Sequence, residues 1–415
     1  MVDINLLREN PEKYKASTQA KGVDPKFVDQ VLGLDARRRE LLKKVEEVRA
    51  KRNEIAREGK PRSAEASRGK EIKEELKNLE PELKEVEQKY DRVLRQIPNP
   101  AASDVVVGKD DTENEILRKE DEVSKFEFNV KDHLELGEAL GIIDVERAVK
   151  VSGARFYYLK GDGVRLEMAI VQFAMEKLSE QGFTLVIPPV LIKREMMAGM
   201  GYLEHGGEED MYVLDKDGLV LVGTSEQSIG PMHSGEVLNL KNGPIRYMGY
   251  SPCFRREAGT YGKDTRGILR VHQFDKVEMF SFTKQEDSEQ EHEFLRELEE
   301  KFLQELGLPY QVVKQCTGDL GAPAARKYDL EAWIPSQNKY RELTSTSNCT
   351  DFQSRGLNIK YQEGGETKYV HMLNGTAFAI GRTIIAILEN YQQEDGGITV
   401  PEVLRKWMGK DKITK

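Results

Sequence analysis

The stretch Phe254–Phe280, FRREAGTYGKDTRGILRVHQFDKVEMF, decides how the rest of the chain is read. It reads as two strands, Ile245 to Phe254 and Ile268 to Phe282, joined by the polar, glycine-containing loop AGTYGKDTRG. Arg255 stands where the first strand ends. A guanidinium offers an anionic oxygen a planar two-pronged donor that lysine cannot match. Arg270, Phe274 and Glu278 are four residues apart, and even spacing on a strand puts side chains on one face. A cation, an aromatic platform and a carboxylate on one surface describe a nucleotide site. The plainer alternative is a solvated charged hairpin whose charges protect a sheet edge.

Outward from this hairpin, the chain from about Glu127 alternates helical and extended patterns to its end. Leu166 to Ser179 reads as helix and GFTLVIPPVLI, Gly182 to Ile192, as a strand. Long antiparallel strands recur, unlike the regular alternation of a doubly wound parallel sheet. The fold class is therefore α+β.

Upstream the composition changes. Asp35 to Ile97 is rich in Glu, Lys, Arg and Leu and nearly lacks aromatics, as long solvated helices are. Ile72, Leu76, Leu79, Leu83, Val86, Tyr90, Val93 and Ile97 alternate steps of four and three, the seam of a coiled coil. Leu34, Leu41, Val45, Val48 and Ile55 form a rougher matching stripe. The Gly-, Pro- and Ser-containing segment Glu58 to Gly69 supplies a reversal. An antiparallel hairpin follows, each arm reaching on the order of 40 Å at about 1.5 Å per residue. Pro81 lacks an amide hydrogen and predicts a local kink. The expected division is a helical unit over 1–105, with its arm at about 35–97, and a second domain over 106–415.

The 415 residues carry a formal charge of −9, which argues against indiscriminate coating of nucleic acid. The arm differs, with 19 basic against 15 acidic side chains, while the remainder has 44 against 57. Cys253, Cys316 and Cys349 are odd in number and far apart, without zinc spacing, and fit a reducing compartment. The N-terminus lacks a signal-like apolar core and no run is long enough for a bilayer, so a soluble cytoplasmic protein is expected. Gly259 to Asp264 has the wrong spacing for a P-loop, and His292-Glu293 lacks the second histidine of a zinc protease.

The hairpin resembles the second signature motif of class II aminoacyl-tRNA synthetases, in the form used by the seryl-tRNA synthetase family. GTSEQ at Gly223 to Gln227, RELTSTSNCTDFQSR at Arg341 to Arg355 and NGTAFAIGRTIIAILENYQ at Asn374 to Gln392 agree with the same family, GFTLVIPPVL resembles its first motif, a dimer element, and the arm extends the resemblance over essentially the whole chain. Leu343 and Thr344, and the variant TAFAIG, depart from many members without changing a charged ligand.

The resemblance implies a class II catalytic domain with a mainly antiparallel sheet flanked by helices. It implies activation of L-serine by ATP to seryl-adenylate, then transfer to the 3′ end of serine tRNA, and of selenocysteine tRNA where a cell has one. Arg255 would hold the α-phosphate and the serine carboxylate. Glu257 would meet the adenine amino group, Phe274 the ring, and the backbone near Arg256 and Val271 the same pocket. Arg270 and Arg382 would hold the outer phosphates, beside Leu343 and Thr344. Glu342 and Ser345 would hold Mg²⁺, and no zinc is expected. Thr224, Ser225 and Glu226 would face the serine ammonium, and Glu278 and Thr376, with Asn374 near, its hydroxyl. His272 would be structural. The expected partners are serine tRNA, L-serine, ATP and a second copy of the chain in a homodimer, with no membrane. A carrier-protein aminoacylator without the arm and a noncatalytic paralogue are the rival readings.

Overall fold

A computed structural model describes residues 1–57, 63–120, 122–123, 125–258 and 266–415, with side chains omitted at 56–57 and 63–67. These residues form two compact units, Met1–Pro98 and Asn99–Lys415. The break therefore falls earlier than the expected one after residue 105. Asn99 explains it: its side-chain amide donates to Pro323 O at 2.9 Å, Cys349 O at 3.0 Å and Thr350 Oγ1 at 3.0 Å, which ties the connector to the second unit.

The first unit consists of α1 (Ile4–Glu9), α2 (Pro11–Ala20), α3 (Lys26–Arg57) and α4 (Ser63–Arg95). Leu41, Val45 and Val48 on α3 pack with Ile72, Leu76 and Leu83 on α4, so the periodic apolar stripes are buried against each other. Near the base of the arm the seam drifts, and Leu94 is buried in place of Val93. Arg38 lies 4.8 Å over the Tyr90 ring and Arg49 pairs with Glu80 at 2.8 Å, contacts that run in opposite chain directions, as an antiparallel hairpin requires. α4 is helical on both sides of Pro81. The expected reversal falls largely on 58–62, outside the described residues. Asp35 is fully buried where the arm begins, and the guanidinium of Arg8 grips it with two bonds of 2.8 Å. Burial alone would raise the Asp35 carboxyl, but Arg8, Arg39 and Arg38 outweigh it and hold it below the usual range.

The second unit is built on a sheet of eight described strands: β1 (Glu115–Glu120), β2 (Thr184–Val186), β3 (Ile245–Phe254), β4 (Gln273–Thr283), β5 (Tyr310–Lys314), β6 (Arg326–Ile334), β7 (Lys339–Asn348) and β8 (His371–Ala379). Their spatial order is β1-β5-β6-β7-β8-β4-β3-β2. Every pair is antiparallel except β2 with β3. Helices α5 (Asp162–Glu180), α6 (Ser288–Glu305) and α7 (Ile380–Asn390) pack on it through Phe173, Phe302, Phe378 and the Ile384–Leu388 run, all buried.

Two expected strands change. Gly182 to Ile192 splits into Thr184–Val186 and Leu191–Lys193, which belong to different sheets. Pro188 and Pro189 between them have no amide to give a ladder. Ile268 to Phe282 becomes strand only from Gln273. Pairing stops where its partner β3 ends at Phe254, and Gly267, at φ +80°, turns the preceding chain against His133. No described helix is long and apolar enough to cross a membrane.

Candidate active site

Two cavities open above the centre of the sheet. The larger, about 310 Å³, is lined among others by Thr224, Glu226, Arg255, Glu278, Asn374 and Thr376. The smaller, about 90 Å³, is lined by Arg255, Glu257, Arg270, Val271, Phe274, Glu342, Leu343, Thr344, Ser345 and Arg382 with their neighbours. Fifteen of the sequence candidates thus divide into a serine-side and a nucleotide-side group, with Arg255, Ser345 and Thr376 lining both cavities. Two candidates do not join them. Ser225 is fully buried with its Oγ against Gly249 of β3, so it faces the sheet. Arg256 is exposed and lines neither cavity, though its backbone amide donates to Asp210 O at 2.8 Å at the edge of the larger one.

Two strand irregularities set the side-chain directions. Where β6 meets β7, Leu330 pairs with Thr344 and Glu331 with Glu342, so Leu343 is an extra residue. Three residues apart on a regular strand, Glu342 and Ser345 would face opposite sides; the bulge brings both into the smaller cavity. Where β4 meets β8, Val277 pairs with Phe378 and Glu278 with Thr376, so Ala377 is extra. Thr376 is thereby set opposite Glu278, and its Oγ1 donates to Glu278 Oε2 at 3.4 Å.

Glu278 Oε2 also accepts from Thr224 Oγ1 at 3.3 Å and lies 2.5 Å from Lys276 Nζ. Lys276 is the residue that sequence reasoning missed. It is buried and lines both cavities. Its signal was present, since position 276 lies midway between Phe274 and Glu278 on the same strand face. Glu226 accepts from the Tyr202 hydroxyl. Burial, then the nearby Glu278 charge, pushes the Glu226 carboxyl up to about 7, against the pull of Lys276.

On the nucleotide side four of the five charged candidates pair among themselves. Arg270 Nη1 donates to Glu257 Oε2 at 2.9 Å, and Arg382 Nη1 to Glu342 Oε2 at 3.0 Å. Although burial acts to raise the Glu342 carboxyl, Arg382 and Lys327 hold it low. The Arg255 guanidinium lies 5.3 Å over the Phe274 ring, while its Nε donates to Gly223 O at 3.2 Å. His272 Nδ1 donates to Arg255 O at 3.0 Å, which fits the structural role expected of it. The loop residues 259–265 lie outside the described residues.

An antiparallel sheet carrying a two-part pocket, with arginines and carboxylates on its second and third motif elements, defines a class II aminoacyl-tRNA synthetase. Residues 212–391 match the family of the tRNA synthetase class II core domain (G, H, P, S and T), and residues 1–101 match the seryl-tRNA synthetase N-terminal domain. The serine–tRNA ligase of Thermobifida fusca is 48% identical over 418 residues, covering 99% of this chain and 98% of that protein; the ligase of Corynebacterium glutamicum is 46% identical over 419 residues with the same coverage. A solved structure of seryl-tRNA synthetase from Pyrococcus horikoshii complexed with ATP superposes with a TM-score of 0.92 at 42% identity, covering 100% of this chain and 99% of that one. The chain belongs to the seryl-tRNA synthetase family and carries its serine–tRNA ligase activity.

Proposed function

We propose that the two cavities hold serine and ATP side by side, and that adenylation occurs at their junction. One observation carries this reading: Arg255, Lys276, Ser345 and Thr376 line both cavities. A serine carboxylate oxygen there attacks the α-phosphorus of ATP, and the bond to the β-phosphate oxygen breaks with its electron pair leaving on pyrophosphate. Arg255 balances the negative charge that builds between carboxylate and phosphate. Phe274 stacks the adenine and Glu257 meets its amino group, while Arg270 and Arg382 turn from their carboxylate partners to the outer phosphates. In the second step the terminal ribose hydroxyl of serine tRNA attacks the seryl carbonyl carbon, and AMP leaves.

Glu226 receives the serine ammonium. Glu278, its Oε2 already held by Lys276, Thr224 and Thr376, offers Oε1 to the serine hydroxyl. Alanine would leave that oxygen without its partner, a loss that rejects the smaller substrate strongly. Glu342 and Ser345, brought to one face by the bulge, fit Mg²⁺, which binds through one or two carboxylates plus phosphate oxygens. When bound, the ion neutralises phosphate charge and orients the leaving group.

The basic arm grips the tRNA body through backbone contacts, as structured RNA is usually held. Val164 and Met168, exposed on one face of α5, and Leu185 and Ile187 on the adjoining β2 segment support a second copy of the chain covering this surface. Three buried cysteines fit the cytoplasm. ATP–pyrophosphate exchange across a panel of amino acids, followed by charging of total tRNA, tests the reading. Serine-dependent exchange and charging are expected; exchange without charging, or none, would overturn it.

A further inference from the structure

Glu299 lies on α6, behind the sheet, with no solvent exposure. Its Oε2 accepts from Thr344 Oγ1 at 3.0 Å. Its Oε1 has no hydrogen-bond partner among the described residues. That oxygen stands 2.8 Å from where a Cβ would sit on Gly375, so the glycine is what leaves room for it. A buried polar atom with a missing partner is disfavoured, and native proteins keep few of them. Stability alone gives no reason for a carboxyl here.

Its neighbours do. Thr344 lies in the nucleotide-side segment between Glu342 and Ser345, and Gly375 lies between Asn374 and Thr376 on the serine side. β7 and β8 pair at this point, Thr346 opposite Gly375. One side chain thus bears on both walls of the reaction chamber from below.

We propose that Glu299 is a positioning residue for the ligase reaction, its buried carboxyl setting the phosphate-facing segment Glu342–Ser345 against the serine-facing segment Asn374–Thr376. The inference rests on the assignment of the two cavities to ATP and serine. Burial, then Glu278 of β4 and Asp329 of β6, raise the Glu299 carboxyl far above its ordinary range, against Thr344 of β7 and Lys327 of β6. The same surroundings disfavour a charge on it, and a glutamine, neutral and of the same shape, is the conservative substitute.

The test compares Glu299→Gln, Glu299→Ala and Glu299→Leu by serine- and ATP-dependence of pyrophosphate exchange, with thermal unfolding followed on the same samples. Glu299→Gln should keep both KM values within about twofold of the native enzyme, and Glu299→Ala should raise both by about tenfold. Glu299→Leu separates placement from stability, because it fills the space that Glu299→Ala empties while both lose the acceptor of the Thr344 hydroxyl. It should unfold later than Glu299→Ala yet show the same raised KM values. Native KM values in Glu299→Leu, or a Glu299→Gln variant as impaired as Glu299→Ala, would overturn the role. If the native enzyme exchanges with serine while those results appear, the cavity assignment stands and the role of Glu299 alone falls.

Discussion

Lys276 is a single cation among buried carboxylates, and its loss should be felt more strongly than its absence from the sequence reading implies. Without it, Glu226 and Glu278 share the larger cavity with Arg255, Lys327 and the substrate ammonium left to compensate. Lys276→Met should lower kcat/KM for serine by about a hundredfold, roughly 2.7 kcal/mol, with the circular dichroism spectrum unchanged. Glu226 carries a pH prediction. Its carboxyl is raised to about 7, so acidification below that protonates it and removes the charge that the serine ammonium needs. The serine KM should rise as pH falls from about 8 to 6 and level off above. A Glu226→Gln variant should have a high, pH-independent KM; if it kept the native profile, another group would be titrating.

At the scale of elements, the apolar patterns located the arm, β3 and α5, because periodicity over ten or more residues records which face is buried. The same patterns failed at Gly182–Ile192, where paired prolines interrupt a continuous apolar run. They failed again at Ile268–His272, where Ile268, Leu269 and Val271 are buried without being strand. The bulges at Leu343 and Ala377 left no local signal either, since an extra residue is defined only by what the neighbouring strand pairs with. Charged candidates were legible because phosphate and ammonium recognition demand particular side chains; the lysine between them was hidden by being one more residue on a charged strand. Inserting one residue between Leu330 and Glu331 of β6 gives Leu343 a partner, restores regular pairing and should turn Glu342 and Ser345, three residues apart, to opposite faces. Such a variant is expected to lose serine-dependent exchange, whereas Leu343→Ala, which keeps the register, should retain it within about tenfold. Equal activity in the two would show that the bulge does not set the ligand directions.

For the whole molecule, the proposed function divides two tasks between the two compact units, and the arm can be shortened with the sequence of the second unit unchanged. Arg38 lies over the Tyr90 ring, so the antiparallel helices run side by side there, and a short turn replacing residues 42–89 leaves the base of the first unit, including Asp35 and Arg8, in place. The shortened enzyme should exchange pyrophosphate with serine within about twofold of the native rate while charging of tRNA falls more than about a hundredfold. Charging that survives would move tRNA recognition off the arm.

The extra residue in β7 also bears on how such a chain can change over generations. With two residues between them, Glu342 and Ser345 share a face only while one of those stays out of the pairing. Substitution within the interval alters packing by degrees, but a residue gained opposite it in β6 reverses a side chain. The defect in the ladder thus ties the lengths of two strands together in the gene: the unpaired residue of β7 can be lost without turning either ligand away, whereas its counterpart in β6 cannot be gained.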